Sequence, residues 1–231
     1  MQYFLGIDIG TYESKGILTD KNGNVVASAT NPHKMLVPEP GWAEHRPEED
    51  WWNDFVKITK KILKASKINP GDISCIATSA IGPCMLPVSY EGDPLMNAVL
   101  YGVDTRAEKE IIELNQEVGK EKILQNCGNA LTSQSVGPKI LWLKKNCPEI
   151  YKKAGKILSS TSYLVQKLTG ESVIDHYTAA NFTPLYDIKN LKWTDALTKN
   201  IIEIERLPKL MWTTEIAGYV SKAASKETGL A

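Results

Sequence analysis

Near the start of the chain, Gly6-Ile7-Asp8-Ile9-Gly10-Thr11 is followed by Lys15. This order puts a carboxylate at the end of a short apolar run, then a glycine turn, then a hydroxyl and a lysine on the returning segment. Phosphate chemistry uses those parts: turn N–H groups and a cation on the phosphoryl oxygens, and a carboxylate that holds Mg²⁺, usually through water. The same hexapeptide also fits an ordinary strand that ends at Asp-x-Gly and turns back, and alone it does not decide between the two. It is not a Walker P-loop, because G-x-x-x-x-G-K-[ST] occurs nowhere. It is not a Rossmann fingerprint either, because G-x-G-x-x-G is absent and a strand rather than a helix is expected after the turn.

Other polar groups carry two readings each. Asp104 and Arg106 flank Thr105 and serve equally as a structural ion pair or as contacts to a ligand. Asp175 is a site residue or a turn cap. The Lys57, Lys60, Lys61 and Lys64 stripe reads as a solvated helix face. The six tryptophans read as packing before any sugar-stacking platform, with Trp42 and Trp51 the two that could serve a site. His33, His45 and His176 are far apart, which argues against a metal site. Cys75, Cys84, Cys127 and Cys147 form no C-x-x-C and read as the reduced thiols of a cytoplasmic protein.

The elements that must position these groups follow from punctuation and periodicity. Strands are expected at Tyr3 to Ile9, Lys15 to Thr19 and Val25 to Ala29, the last two joined by Asp20-Lys21-Asn22-Gly23, a strong hairpin signal. A proline-rich loop leads to Pro47, which with Glu48, Glu49 and Asp50 opens a helix whose buried face is predicted to be Trp52, Phe55, Val56, Thr59 and Leu63. Ile73 to Ser79, Met85 to Ser89 and Ala98 to Tyr101 read as further strands. Ala107 to Gln116, Pro138 to Asn146, Ser160 to Thr169 and Glu215 to Gly229 read as helices, with Gly170 a stop for the third. The pattern predicts a mixed α/β layer fold.

The composition is that of a globular chain of 231 residues, 42% hydrophobic and 23% charged. Lys plus Arg and Asp plus Glu both number 27, so nothing favours nucleic acid or an anionic membrane as partner. Met1-Gln2-Tyr3-Phe4-Leu5 lacks the basic and apolar regions of a signal peptide. No stretch nears the roughly 20 apolar residues of a membrane span.

The opening hexapeptide with Lys15 and the Asp20–Gly23 turn resembles the start of the sugar-kinase, Hsp70 and actin superfamily. Gly41-Trp42-Ala43-Glu44-His45-Arg46-Pro47 with Trp51-Trp52 is similar to the Gly-Trp-x-Glu-x-x-Pro loop and helix of FGGY carbohydrate kinases, the xylulokinase, gluconokinase and glycerol kinase group. Asp104-Thr105-Arg106 resembles the group's Asp-x-Arg near the sugar. Lys139-Ile140-Leu141-Trp142 resembles the second half of its Lys-x-x-Trp signature. Val136 stands where the group prefers Pro, Ser or Thr, and Tyr12 and Glu13 fill turn positions that are usually small or hydroxylic.

The resemblance implies an RNase H-like α/β domain with a mixed sheet and helical insertions, residues 1–231 being the N-terminal, substrate-binding domain. It implies ATP and Mg²⁺ as cofactors and a sugar or polyol as partner, with the γ-phosphoryl passing to a hydroxyl. Asp8 is then the Mg²⁺ residue, through water; Gly10, Thr11 and Lys15 face the phosphates; Gly82, Pro83, Asp104 and Arg106 line the sugar pocket. After the strand at 73–79 the group carries Gln-Met-His-Gly or an Arg-Glu pair, where this chain has Ile81-Gly82-Pro83-Cys84. Strong preference for xylulose or glycerol is therefore not expected, and polar anchoring is expected to shift to Asp104 and Arg106. The group's general-base Asp, in a Gly-Gly-x-Asp turn, and its nucleotide-binding domain would follow Ala231, so these residues alone are expected to be inactive. Two rivals stand beside this reading: a non-catalytic sugar-binding or regulatory relative, and an actin- or Hsp70-like nucleotide-driven interaction protein. Monomer and homodimer are both left open.

Overall fold

The computed structural model describes residues 2–231. Tyr3–Ile9 (β1), Glu13–Asp20 (β2) and Val25–Pro32 (β3) form the expected antiparallel meander. Gly23 makes the second turn possible by taking φ +84°, where a Cβ is strained, and the Asp20 carboxylate accepts from the N–H groups of Asn22 and Asn24. Strand alternation turns Leu5, Ile7, Ile9 and Leu18 to the core and leaves Asp8 and Lys15 on the opposite, open face. Asp8 and Lys15 are cross-strand partners in the register.

Glu44–His45 (β4) and a π-type turn over Pro47–Trp52 lead into Asn53–Ser66 (α1), and Ile73–Ala80 (β5) then adds to the sheet parallel to β1. The order β3-β2-β1-β5 is the expected mixed sheet, and α1 is the crossover that a parallel pair requires. Because β1 and β5 run parallel, their carboxyl ends lie side by side. The Ile81 N–H donates to the Ile9 carbonyl at 2.8 Å, so the residues after both strands are neighbours.

Beyond β5, helices alternate with short strands and irregular segments. Leu86–Val88 (β6) and Ala98–Val99 (β7) precede Glu108–Val118 (α2), Lys120–Cys127 (α3), Val136–Asn146 (α4) and Pro148–Lys153 (α5). Lys156–Leu158 (β8) pairs with β6, and β7 pairs with β4. Ser160–Thr169 (α6) has the predicted bounds and ends on Gly170 at φ +87°. Asp175 caps the short helix that follows it, accepting from Thr178 N–H at 2.8 Å. One core lies between the sheet, α1 and α6; a second surrounds α4. No helix among the described residues is long and apolar enough to cross a membrane.

Three expectations are corrected. The buried stripe of α1 is Phe55, Ile58, Thr59 and Ile62, with Val56 and Leu63 only half-buried. The wider π-type turn before α1 shifts the phase of the face, and Gly16 admits it: a Cβ there would lie 2.3 Å from Ile58 Cγ2. The helix expected over 215–229 is confined to Lys222–Thr228, because the Ser221 hydroxyl caps it by accepting from Ala224 N–H and Gly218 is pressed against Thr169. The expected strand over 98–101 stops at Val99, where its partner β4 ends.

Candidate active site

The turn after β1 is closed by Gly10 N–H donating to Glu13 O at 3.0 Å. A Cβ on residue 10 would sit 2.7 Å from that same oxygen, so the closure requires glycine. Neither Thr11 N–H nor Tyr12 N–H has an acceptor among the described residues. Successive free amides in a turn are an anion-binding concavity. Asp8 and Lys15 stand exposed on adjacent strands at its edge, the Lys15 Nζ 3.6 Å from Glu13 Oε2. No group of three or more His, Cys, Asp or Glu that could enclose a metal occurs among the described residues. A single exposed carboxylate suits Mg²⁺, which keeps several waters and takes phosphate oxygens in place of a protein cage.

Gly82 follows β5 beside this turn. It is exposed, and a Cβ there would meet nothing within 4 Å, so open space lies in front of it. Pro83 and Cys84 are buried behind it, and burial, the main cause, pushes the Cys84 thiol up to about 12. The segment thus presents backbone and a small surface, its one ionisable group, the Cys84 thiol, lying buried.

The third wall is Tyr101 to Arg106. The Thr11 hydroxyl lies 3.2 Å from the Tyr101 hydroxyl, which ties this wall to the turn. Ser133 Oγ donates to Gly102 O at 2.8 Å and brings the loop before α4 alongside. Asp104 Oδ2 accepts from Ala43 N–H at 2.7 Å. Arg106 donates to Asp104 through Nε and Nη2, and to Glu44 Oε1 at 2.8 Å, with its guanidinium carbon 3.9 Å from the Trp42 ring centroid. Its side chain is wholly buried. The charge of Arg106 is spent on Asp104 and Glu44 behind the wall, and only Nη1 lacks a partner.

Asp104 also lines a pocket of about 380 Å³ with Thr105, Thr132, Ser133, Ser135 and Lys139. Lys139 is 1% exposed and donates to Leu100 O at 2.5 Å. Burial, the leading cause, pulls its ammonium down to about 8 against the opposing pull of Cys84 and Asp104.

The fold therefore gathers Asp8, Gly10, Thr11 and Lys15 at one turn, Gly82 beside it and Asp104 across Tyr101, while Arg106 is withdrawn into the wall. Sequence reasoning missed Tyr101, Ser133 and the depth of Lys139. It also read His33 and His45 as far apart, whereas their rings meet edge to face with centroids 4.9 Å apart, beneath the turn. The signals were slight: Tyr101 sits just before the Gly102–Arg106 run, and Lys139 was legible only as one letter of a signature.

Residues 3–231 match the N-terminal domain of the FGGY family of carbohydrate kinases. The chain is 32% identical over 227 residues to the glycerol kinase of Thermococcus gammatolerans, covering 96% of this chain and 45% of that protein. It resembles the crystal structure of xylulose kinase from Rhodospirillum rubrum with a TM-score of 0.92 at 27% identity, over 100% of this chain and 47% of that one. Plasmodium falciparum glycerol kinase with ADP superposes with a TM-score of 0.89 at 26% identity, over 100% and 47%. These are sugar kinases of the actin and Hsp70-like fold, which bears out the expected fold class. The chain spans about half the length of the curated relatives it matches.

Proposed function

Since the chain belongs to the FGGY family of carbohydrate kinases, we propose that it forms the acceptor-binding half of an enzyme passing the γ-phosphoryl of ATP to a hydroxyl of a sugar or polyol. The observation that carries this is the joint between Thr11 and Tyr101, which sets a turn with free amides against the Tyr101–Arg106 wall, with Gly82 open beside the turn. Gly10, Thr11 and Lys15 receive the phosphates. Asp8 helps hold Mg²⁺, which when bound neutralises charge on the phosphoryl oxygens. Gly82, Pro83 and Asp104 frame the acceptor, with Arg106 keeping Asp104 and Glu44 in place. The nucleotide-binding domain and the general base are assigned to sequence beyond these residues.

The acceptor is held mainly by backbone at the Gly82 end and by Asp104, Ser133 and Lys139 at the other. A hydroxylated ligand is discriminated by paired donors and acceptors. Without them at Ile81–Cys84, glycerol and xylulose are not strongly preferred. The enzyme acts in the cytoplasm, where its four free cysteines stay reduced.

A thermal-shift screen of the chain against a panel of sugars and polyols tests this, because a ligand of the native state raises apparent stability. At least one acceptor is expected to raise the melting temperature. A panel that leaves it unmoved at concentrations of tens of millimolar, together with an intact enzyme that phosphorylates none of its members, refutes the proposal.

A further inference from the structure

Beneath the Gly10–Tyr12 turn, and unused by the function above, lies a buried pair of imidazoles. His33 faces an acceptor at each ring nitrogen: Asp54 Oδ2 at 2.9 Å from Nδ1 and Gly10 O at 2.9 Å from Nε2. A backbone carbonyl cannot donate. Both oxygens of Asp54 act as acceptors here, Oδ2 from Ser14 Oγ at 2.8 Å and Oδ1 from Asn31 Nδ2 at 2.7 Å, which is the pattern of an ionised carboxylate. Both ring nitrogens of His33 therefore carry protons, and the ring is an imidazolium paired with a carboxylate, their side chains 4% and 2% exposed.

His45 has the opposite pattern. Trp51 Nε1–H, which can only donate, lies 2.9 Å from its Nδ1, so that nitrogen is bare. Its Nε2 lies 3.0 Å from Thr11 O and carries the proton. His45 is the neutral Nε2–H tautomer. Protonating it would break the Trp51 bond and set a second cation against His33. Burial, foremost, and the His33 charge hold it down to about 4. For His33, burial pulls downward but the bond and charge of Asp54 outweigh it, and the net direction is upward.

Together the two residues engage three consecutive carbonyls of the turn. His33 Nε2–H takes Gly10 O, His45 Nε2–H takes Thr11 O, and His33 backbone N–H takes Tyr12 O at 2.9 Å. In a trans peptide the carbonyl and the following N–H point in opposite directions. Pinning the carbonyls of Gly10 and Thr11 downward therefore aims the amides of Thr11 and Tyr12 upward, away from the histidines. A cation bonded to the Gly10 carbonyl also polarises that peptide and strengthens its N–H as a donor.

We propose that His33 and His45 are positioning residues for the phosphate-facing turn, one a fixed double donor and the other a fixed acceptor and donor. The proposal rests on the functional reading above only in that the turn's ligand is a phosphate. The other charged groups around the pair are Asp50, on the π-type turn, and Arg46, whose guanidinium is itself taken by Asp50 at 2.7 Å. Ser14, Asn31 and Asp54 complete the surround from β2, β3 and α1.

The different patterns give the test. A glutamine at position 45 can accept from Trp51 through its oxygen and donate to Thr11 through its nitrogen. A glutamine at position 33 carries no charge and has one nitrogen for two acceptors on opposite sides. Long-range ¹H–¹⁵N spectra of the chain at pH 6 are expected to show His33 protonated at both nitrogens and His45 at Nε2 alone. Titrating inorganic tripolyphosphate while following the Thr11 and Tyr12 amide resonances is expected to give equal responses for the wild type and His45→Gln. His33→Gln should bind at least roughly tenfold more weakly, the scale of a lost charge-assisted bond, and His45→Leu roughly fivefold, the scale of a lost neutral one. If the wild type does not respond to tripolyphosphate, the phosphate reading fails. The positioning claim is then decided by the imidazole states and by amide exchange at Gly10 and His33, whose bonded N–H groups hold the turn; that exchange should quicken in His33→Gln and His45→Leu alone. A neutral His33, an Nδ1–H tautomer at His45, or equal turn behaviour in all variants overturns the proposal.

Discussion

The hydroxyl of Thr11 lies 3.2 Å from the hydroxyl of Tyr101, a bond that spans 90 positions of sequence and joins the turn after β1 to the wall before α2. Through it, the Gly10–Tyr12 turn is set against the Tyr101–Arg106 wall. Tyr101→Phe removes the bond and keeps the ring. One neutral hydrogen bond contributes about 0.5–1.5 kcal/mol, so kcat/KM of the intact kinase is expected to fall by roughly 2- to 12-fold. Steady-state kinetics check this. Unaltered kinetics would show that the two hydroxyls are neighbours without consequence.

Asp8 and Lys15 are exposed cross-strand partners, so neither supports the core. Asp8→Ala and Lys15→Ala are expected to leave the melting temperature of the chain unchanged. In the intact kinase each should lower kcat by on the order of 10² to 10³, the usual effect of removing one charge contact made in the transition state. Affinity for the acceptor should hardly move. A tenfold loss of acceptor affinity with kcat intact contradicts the assignment.

Arg106 is expected to matter first for stability. Arg106→Ala leaves Asp104 and Glu44 buried without their cation, a situation that costs about 3–5 kcal/mol. The urea midpoint of the chain should drop accordingly. Arg106→Lys should not restore it, because an ammonium cannot reproduce the fork to both carboxylates or lie flat on Trp42. A normal midpoint with a tenfold higher acceptor KM would return Arg106 to direct contact with the ligand.

The two histidines predict opposite pH effects. His45 is held near 4 in the folded chain, below its value of about 6.5 when unfolded. Between those values the unfolded chain binds more protons, so stability falls as pH drops through that window. For His33 the folded value lies above the unfolded one. Its contribution is complete below about pH 6.5 and is lost as pH rises through the folded value. Urea midpoints across pH should fall less steeply on the acid side in His45→Gln than in the wild type. Identical acid limbs would contradict the assignment of a neutral buried His45.

The local parts of this fold were readable because their causes are local. The Asn22-Gly23 turn, the Gly10 closure and the Gly170 stop each depend on one or two residues, and the meander and α6 follow from them. The α1 face was misread because a π-type turn changes the helical phase, which a period of 3.6 cannot register. The turn residues Asp8, Gly10, Thr11 and Lys15 are contiguous enough to be found as a motif. Tyr101, Lys139, His33 and His45 reach the site from β-ends and a helix tens of residues away. Their types fit core packing equally well until contacts far apart in sequence, Thr11 with Tyr101, Leu100 with Lys139 and the turn carbonyls with His33 and His45, bring them together. Which way the Arg106 guanidinium faces depends on Glu44 and Trp42, 62 and 64 positions earlier, and no local signal carries that.

The central claim is that the Gly10–Thr11 turn, Gly82 and the Tyr101–Asp104 wall form one acceptor and phosphate site. Amide shift mapping of the isotopically labelled chain with its best sugar or polyol tests it most directly. The account predicts shifts concentrated at Gly82, Tyr101, Gly102 and Asp104, with tripolyphosphate moving Thr11 and Tyr12 in the same sample. Shifts gathered instead around the separate pocket lined by Ser89, Gln166 and Arg206 would contradict it.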